Sequence, residues 1–236
     1  MWCIPVADAH YVAAMEAVLD LYKRPYDPQE PVMCFDETSK QLIAEMRCPL
    51  PAPPGQPLRY DYEYERKGTR NLFLFFEPLA NWRHVEVTQQ RTQQDFAFQM
   101  QWVVDRRYPD AACVHIVLDN LNTHTEAALY ETFPPQEARR ILNKLRFHYT
   151  PKHASWLNMA EIEFSVFSRS CLQQRIPDDA TLKRHINALE NERNTRQATV
   201  DWQFTCDDAR IKLKRLYPSL SYCPSTRLTM KFARLR

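Results

Sequence analysis

The chain has 236 residues, of which 44% are hydrophobic and 25% charged, a composition typical of an ordinary globular protein. Its only glycines are Gly55 and Gly68, which excludes both a glycine-rich dinucleotide-binding loop and a phosphate-binding P-loop. The seven cysteines are scattered and never form a C-x-x-C pair, which argues against a zinc site or a disulfide frame and indicates reduced thiols in the cytoplasm. No apolar run approaches the roughly 20 residues of a membrane span, so we expect no membrane partner.

Positive charge is concentrated in two stretches, although the formal net charge is only +2. Residues 138–160 contain five Lys or Arg and residues 209–236 contain eight, with no acidic residue in either stretch. Such blocks can contact the phosphates of nucleic acid. They can equally be solvated surface or charges at helix C-termini.

The first elements predicted along the chain are a helix over 8–22 and a short buried strand over 31–35 that closes on Asp36. Lys67-Gly68-Thr69 is typical of a turn. The later elements are strands over 71–76 and 83–88, a helix over 95–104, a buried strand over 112–118, a helical region over 125–142 broken at Pro134-Pro135, a strand over 145–149, and helices over 157–172, 180–193 and 207–216. This order predicts an α/β protein with a mixed sheet flanked by helices.

Three carboxylates are candidates for chemistry. Asp36 and Asp119 each follow a buried apolar run, so we expect them to meet at one edge of the sheet, although each also suits a turn or a helix cap. On a helical wheel Glu161 falls among apolar residues, on the face expected to pack on the sheet, where it must be paired, protonated or bound to metal. Glu163 lies about 200° further round and is the weaker candidate.

A divalent metal centre is the chemistry that such a cluster suggests. Asp36, Asp119 and Glu161 would repel one another if brought together, and a pair of cations removes that repulsion. Ligands that are all oxygen favour Mg²⁺ or Mn²⁺ over zinc. Two such ions about 4 Å apart can activate water or a 3′-hydroxyl and stabilise the leaving oxygen in phosphoryl transfer.

Four short motifs make a more specific resemblance: Asp36-Glu37-Thr38, Leu118-Asp119-Asn120-Leu121-Asn122-Thr123-His124, Tyr149-Thr150-Pro151 and Ser155-Trp156-Leu157-Asn158-Met159-Ala160-Glu161. In this combination and order they resemble the catalytic motifs of DDE transposases, and most closely the bacterial insertion-sequence branch of the Tc/mariner superfamily. The resemblance covers about residues 4–218. It implies an RNase H-like fold, with Asp36, Asp119 and Glu161 as a triad for two Mg²⁺ or Mn²⁺ ions. It also implies recognition of terminal inverted repeats in DNA and insertion at TA.

Two departures from that family pattern concern length. Between Asp119 and Glu161 lie 41 residues (161 − 119 − 1), a long spacing that the broken helix around Pro134-Pro135 accounts for. The chain also begins almost at the catalytic domain, without the helix-turn-helix region that family members carry. We therefore expect a truncated chain or one product of a split gene. We also expect the protein to be associated with the nucleoid. It should form a homodimer or assemble with full-length transposase.

The domain organisation expected from the sequence has three parts, namely an N-terminal helix and linker over 1–30, the catalytic domain over 31–218 and a basic tail over 219–236. Two alternatives to a transposase remain at this point. The chain can be a plain RNase H-like nuclease, or a silent remnant that binds DNA or the full-length transposase.

Further candidates lie next to the carboxylates: Asn120, Asn122, His124, Lys152, His153 and Trp156. Asn120, Asn122 and His124 can orient a ligand, a phosphate or Asp119 itself, and Asn122 and Thr123 can equally cap the helix that starts near Thr125. For His124, contact with DNA and a structural hydrogen bond are equally open. Lys152 and His153 lie just before the helix of Glu161 and are placed to touch phosphate. Trp156 can stack on a base, but a core aromatic anchor is the favoured reading.

Overall fold

The computed structural model describes residues 8–47, 54–55 and 62–218. In this part of the chain, seven α-helices cover the two faces of one five-stranded sheet. The helices are α1 (Ala9–Tyr22), α2 (Gln93–Trp102), α3 (Glu126–Thr132), α4 (Pro135–Lys144), α5 (Met159–Phe167), α6 (Asp179–Thr195) and α7 (Cys206–Lys212), and the strands are β1 (Val32–Glu45), β2 (Tyr64–Glu77), β3 (Trp82–Thr88), β4 (Val114–Leu118) and β5 (Leu145–Tyr149). The predicted tail over 219–236 lies outside the described residues. None of the described helices combines the length and apolar character that crossing a membrane requires.

The sheet is mixed, as predicted, with the strand order β3-β2-β1-β4-β5. The first three strands pair antiparallel, whereas β1, β4 and β5 run parallel to one another. The pairing of β1 with β4 is short and joins Val32 to His115 and Cys34 to Val117. Because β1 and β4 are parallel neighbours, residues that follow this pairing lie at the same edge of the sheet.

The first strand is longer than its apolar run predicts. It continues from Val32 to Glu45, so Asp36 lies inside β1 and the prediction that it closes the strand was wrong. Lys67-Gly68-Thr69 is likewise part of β2 and not a turn. Gly68 has a φ of +89° and lies beside a shift in the β1–β2 register, which is a β-bulge. Glycine adopts this backbone conformation without strain. Residues 64–69 of β2 are exposed, and beyond Asp36 only Leu42 of β1 is buried, so these halves lack the apolar alternation by which a strand is recognised.

Two apolar cores lie on opposite faces of the sheet because successive strand residues point to opposite sides. Met33 and Phe35 face the core under α2, α3 and α4. Cys34 faces the core formed with α1, α5, α6 and α7, into which α1 buries Met15 and Leu19 completely. Burying an apolar side chain of this size stabilises the fold by about 1.5–3 kcal/mol, so both helical layers hold the sheet in place.

The helix that carries Glu161 starts later than predicted. A 3-10 turn over Ser155–Leu157 precedes it, and α5 begins at Met159 after its N-cap residue Asn158. The Asn158 side chain accepts a hydrogen bond from the backbone N–H of Ala160 at 3.1 Å, which satisfies one of the unpaired donors of the first turn. After Phe167 the helix continues as a π-helical turn over Ser168–Leu172. The predicted break at Pro134-Pro135 is confirmed, since α3 ends at Thr132 and α4 begins at Pro135.

Candidate metal-binding active site

The three predicted carboxylates come from three different elements. Asp36 lies in β1 two residues beyond Cys34, the last residue paired with β4, and Asp119 directly follows β4. Glu161 lies in the first turn of α5, which packs against β1. The architecture therefore brings the three side chains to one edge of the sheet.

Their mutual electrostatics show that the three carboxylates influence one another. Burial raises the pKa of Asp36 to about 7, and the negative charges of Glu161 and Asp119 act in the same direction, against a hydrogen bond from the Glu37 backbone. The pKa of Glu161 is also raised, because its carboxyl group is partly desolvated even though the residue is exposed and because the charge of Asp119 acts in the same direction, although a hydrogen bond from Ser155 opposes the shift. Negative charge is thus concentrated at this edge in excess of what the protein neutralises.

The side of α5 that meets the sheet differs from the helical-wheel prediction. Glu161 is exposed, and Glu163 is the fully buried carboxylate. The Glu163 side chain accepts hydrogen bonds from Arg193 at 2.6 and 2.8 Å, and Oε1 lies 3.1 Å from Nε of Arg83. The wheel was wrong because it assumed one regular helix over 157–172 and counted Glu163 as polar, whereas two guanidinium groups make its burial possible.

His124 compensates the negative charge of the Asp119 carboxylate. Its Nδ1 lies 2.7 Å from Oδ1 of Asp119, and its Nε2 lies 2.5 Å from Oε2 of Glu37. Burial works against a charged imidazole, but the contacts with Asp119 and Glu37 outweigh it and raise the pKa of His124 to about 9. Burial likewise tends to raise the pKa of Asp119, and the hydrogen bond with His124 holds that pKa below its usual value.

Two asparagines fasten the elements that carry the carboxylates. Asn158 donates from Nδ2 to the backbone carbonyl of Phe35 at 2.9 Å, which ties the start of α5 to β1 next to Asp36. Asn120 donates to the carbonyl of Thr150 at 2.7 Å, which joins the segments that follow β4 and β5. The sequence prediction included Asn120 and missed Asn158, although an asparagine directly before an apolar helix is a recognisable N-cap signal.

Two grooves flank the carboxylates. The first, of about 410 Å³, is lined by Asp36, Glu37, Thr38, Ser39, Lys40, Glu161, Phe164, Ser165, Ser168 and Leu172. The second, of about 200 Å³, is lined by Asp119, Asn120, Leu121, Thr150, Pro151, Lys152, His153 and Ser155. The structure therefore places the predicted Lys152 and His153 in a groove with Asp119.

The other two sequence candidates line neither groove. Asn122 is exposed and is not the cap of α3, whose N-cap residue is Thr125. Trp156 packs edge-to-face on Phe204, with ring centroids 5.5 Å apart, beside the core under α1 and α5. Its environment is that of the aromatic anchor favoured by the sequence.

The donor chemistry of the carboxylates fits a divalent cation. In the arrangement that the structure describes for residues 8–47, 54–55 and 62–218, no three His, Cys, Asp or Glu side chains are close enough together to enclose a metal ion. The carboxyl pKa values of Asp36 and Glu161 are nevertheless raised in part by neighbouring negative charge, which a bound cation would relieve. Carboxylate oxygens are the ligands that Mg²⁺ and Mn²⁺ prefer, so the residues present fit such an ion.

Comparisons with known proteins agree with this architecture. A family model described as DDE superfamily endonuclease matches residues 31–183. No curated protein matches the chain by sequence.

Solved structures of Mos1 transposase share the fold. A Mos1 transposase paired-end complex with left transposon end gives a TM-score of 0.55 at 15% identity, over 84% of this chain and 60% of that chain. A Mos1 mariner paired end complex with Mn gives 0.51 and a Mos1 strand transfer complex gives 0.53, each at 16% identity over 79% of this chain and 56% of the other. The chain thus spans 60% or less of these proteins, and identities this low establish the fold alone. That fold is the predicted RNase H-like one.

Proposed function

Because this chain belongs to the DDE superfamily endonucleases, we propose that it is a transposase catalytic domain that cuts DNA strands and joins the freed 3′ end to target DNA. The observation that carries the proposal is that Asp36 in β1, Asp119 after β4 and Glu161 in α5 lie near enough for the charges of the last two to raise the pKa of the first. The Mos1 structures with a transposon end and of a strand transfer complex support it through their common fold. We place the chain in the bacterial insertion-sequence branch of the Tc/mariner superfamily on the basis of its motifs.

In the proposed active site, Asp36, Asp119 and Glu161 hold two Mg²⁺ or Mn²⁺ ions. When bound, these ions supply the activation of water or of a 3′-hydroxyl and the stabilisation of the leaving oxygen. A solved Mos1 complex with Mn supports this choice of metal. The chain itself supplies the orientation, because His124 fixes Asp119 and Asn158 fixes the start of α5.

We assign the DNA path to the two grooves. Lys152 and His153 are exposed on the groove beside Asp119, where they can contact phosphates near the cut bond. Asn120 lines the same groove but is held by Thr150, so its role is to shape the groove. The DNA partners follow from the family resemblance: terminal inverted repeats and a TA target. The protein partner is a second copy of the chain or a full-length transposase.

The decisive experiment combines the purified chain with Mg²⁺ or Mn²⁺ and DNA that carries a cognate element end. We expect metal-dependent nicking that disappears in Asp119→Asn and persists in Asp201→Asn, a matched change at an exposed position. Nicking that survives Asp119→Asn would overturn the triad. Joined products with a TA preference identify a transposase, cutting without joining identifies a plain nuclease, and DNA binding without cutting identifies a silent remnant.

A further inference from the structure

One histidine connects carboxylates from two neighbouring strands. The His124 ring lies between Asp119, which follows β4, and Glu37, which is in β1. The side chains of His124 and Glu37 are only 2% and 4% exposed. A buried carboxylate requires a partner, and this imidazole serves Glu37 and Asp119 together.

The His124 ring is held in a single orientation. The rings of Phe35 and Phe96 lie 5.3 and 4.9 Å from it, on the core side of the site. The backbone carbonyl of His124 accepts a hydrogen bond from the Tyr149 hydroxyl at 2.8 Å. Packing and hydrogen bonding therefore leave the ring little freedom to turn away from Asp119.

The consequence for Asp119 is that its two carboxylate oxygens differ. Among the described residues, Oδ1 accepts the hydrogen bonds from His124 at 2.7 Å and from the backbone N–H of Leu121 at 3.3 Å. The other oxygen, Oδ2, accepts no hydrogen bond from the described part of the chain, and we assign it to a ligand in the groove that Asp119 lines. A carboxylate fixed in this way presents one defined oxygen, which is how outer partners orient metal ligands in proteins.

Glu37 also reaches the other strand carboxylate. Its backbone N–H donates to Oδ1 of Asp36 at 2.8 Å, while its side chain contacts His124. Arg91, whose Nη1 lies 3.7 Å from Oε1, faces the other end of the Glu37 carboxylate. A single residue thus connects the carboxylates of β1 and of the β4 end.

We propose that Glu37 is a positioning residue of the active site, which acts through His124 to fix Asp119 relative to Asp36. The inference rests on the proposed metal-dependent function. It adds a fourth carboxylate to the site, with the task of orienting the triad and not of binding the metal.

The test measures Mn²⁺ binding by calorimetry on the full chain without DNA. Glu37→Gln keeps the shape and removes the charge that holds His124, and we expect Mn²⁺ affinity to fall about 10- to 100-fold, as for other partners of metal ligands. Glu77→Gln is the matched control. Glu77 is also fully buried and contacts Arg107 at 3.0 Å, but it does not touch His124. We expect this control to lower stability without changing Mn²⁺ affinity.

A double variant tests the route through His124. If Glu37 acts through the imidazole, Glu37→Gln adds little to the loss of Mn²⁺ affinity already caused by His124→Gln. Losses that add fully, or a Glu37→Gln affinity equal to that of Glu77→Gln, overturn the inference. Should Glu37→Gln not fold, Glu37→Asp retains the charge at a shorter reach and is expected to weaken Mn²⁺ binding by a smaller factor, with unchanged affinity counting against the inference.

Failure of the proposed function gives a different pattern. In that case the wild-type chain binds no Mn²⁺, or binds it equally well after Asp119→Asn. Wild-type binding that depends on Asp119 but is indifferent to Glu37 leaves the function standing and removes only the role of Glu37.

Discussion

Two glutamates on one helix have opposite environments. Glu163 is fully buried and faces two arginines, Arg83 from β3 and Arg193 from α6. Glu161, two residues earlier, is exposed in the groove and is influenced by the negative charge of Asp119. The first carboxylate is neutralised by the fold, whereas the second is left with excess charge.

The surroundings of the two carboxylates indicate which of them has a function. A buried carboxylate with fixed cationic partners secures the helix, and its removal leaves those cations unpaired. A carboxylate that the fold leaves beside other negative charges costs stability, and it is retained when a ligand compensates it. Burial alone would have selected Glu163, so charge compensation is the better guide here.

The largest effects are expected from matched changes at these two positions. Glu161→Gln should reduce metal-dependent DNA cutting on the order of 100-fold or more while leaving the free energy of unfolding equal or slightly higher, because repulsion is relieved. Glu163→Gln should instead lower the free energy of unfolding by about 3–5 kcal/mol, since Arg83 and Arg193 lose their counter-charge. Cutting assays and urea denaturation of both variants measure the two effects.

An exchange of phenotypes between the two variants would reverse the roles of Glu161 and Glu163. A stable Glu163→Gln chain that has lost Mn²⁺ binding would identify Glu163 as the ligand. A Glu161→Gln chain that cuts DNA normally would remove Glu161 from the triad.

A smaller effect is expected at Asn158, an uncharged residue that secures the start of the same helix. Asn158→Ser keeps a capping hydroxyl but cannot reach the carbonyl of Phe35, so we expect a loss of about 1 kcal/mol of stability. Because α5 then shifts relative to Asp36, Mn²⁺ affinity should also fall. Asp178→Ser, at the N-cap of α6, is the control that alters a cap elsewhere. Equal Mn²⁺ affinities in the two variants would show that Asn158 is only a helix cap.

The smallest effect concerns the pH dependence of stability. It arises from a second compensated charge, that of His84 in β3, whose partner Glu190 lies in α6. Burial disfavours charge on His84, but contacts with Glu190 at 3.1 Å and with Glu86 outweigh it and raise the pKa of His84 to about 9. Since the folded pKa is the higher one, this stabilisation is complete below about pH 6.5 and is lost as the pH rises towards 9.

His84→Gln should therefore flatten the decline in the urea midpoint between pH 6.5 and 9. The free energy of unfolding that the wild-type chain loses through His84 over this range is on the order of 1 kcal/mol, since the pair is partly exposed. Glu190→Gln should flatten it in the same way, because it removes the partner. A wild-type midpoint that does not fall over this range would contradict the compensation of His84.

Sequence reasoning succeeded where local pattern and chain order decide the outcome. The buried run before Asp119 and the break at Pro134-Pro135 carry their own signals, and the order of strands and helices along the chain predicted the mixed sheet. Prediction from the sequence failed where the environment of a residue depends on partners that are distant in the chain. The burial of Glu163 depends on Arg83, 80 positions earlier (163 − 83), and on Arg193, 30 positions later. The role of Glu37 likewise depends on a histidine beyond β4.

The anchoring of α5 by α6 also determines when, during synthesis of the chain, the helix that carries Glu161 can be fixed in place. Glu163 precedes its partner Arg193 by 30 residues, so during synthesis the helix that carries Glu161 cannot be secured until α6 has left the ribosome. The carboxylates at 36, 119 and 161 meet only through contacts between remote parts of the chain, which form late in folding. A nascent chain that still lacks α6 is therefore without a complete site, and translation delays the proposed cutting activity until nearly the whole domain has been made.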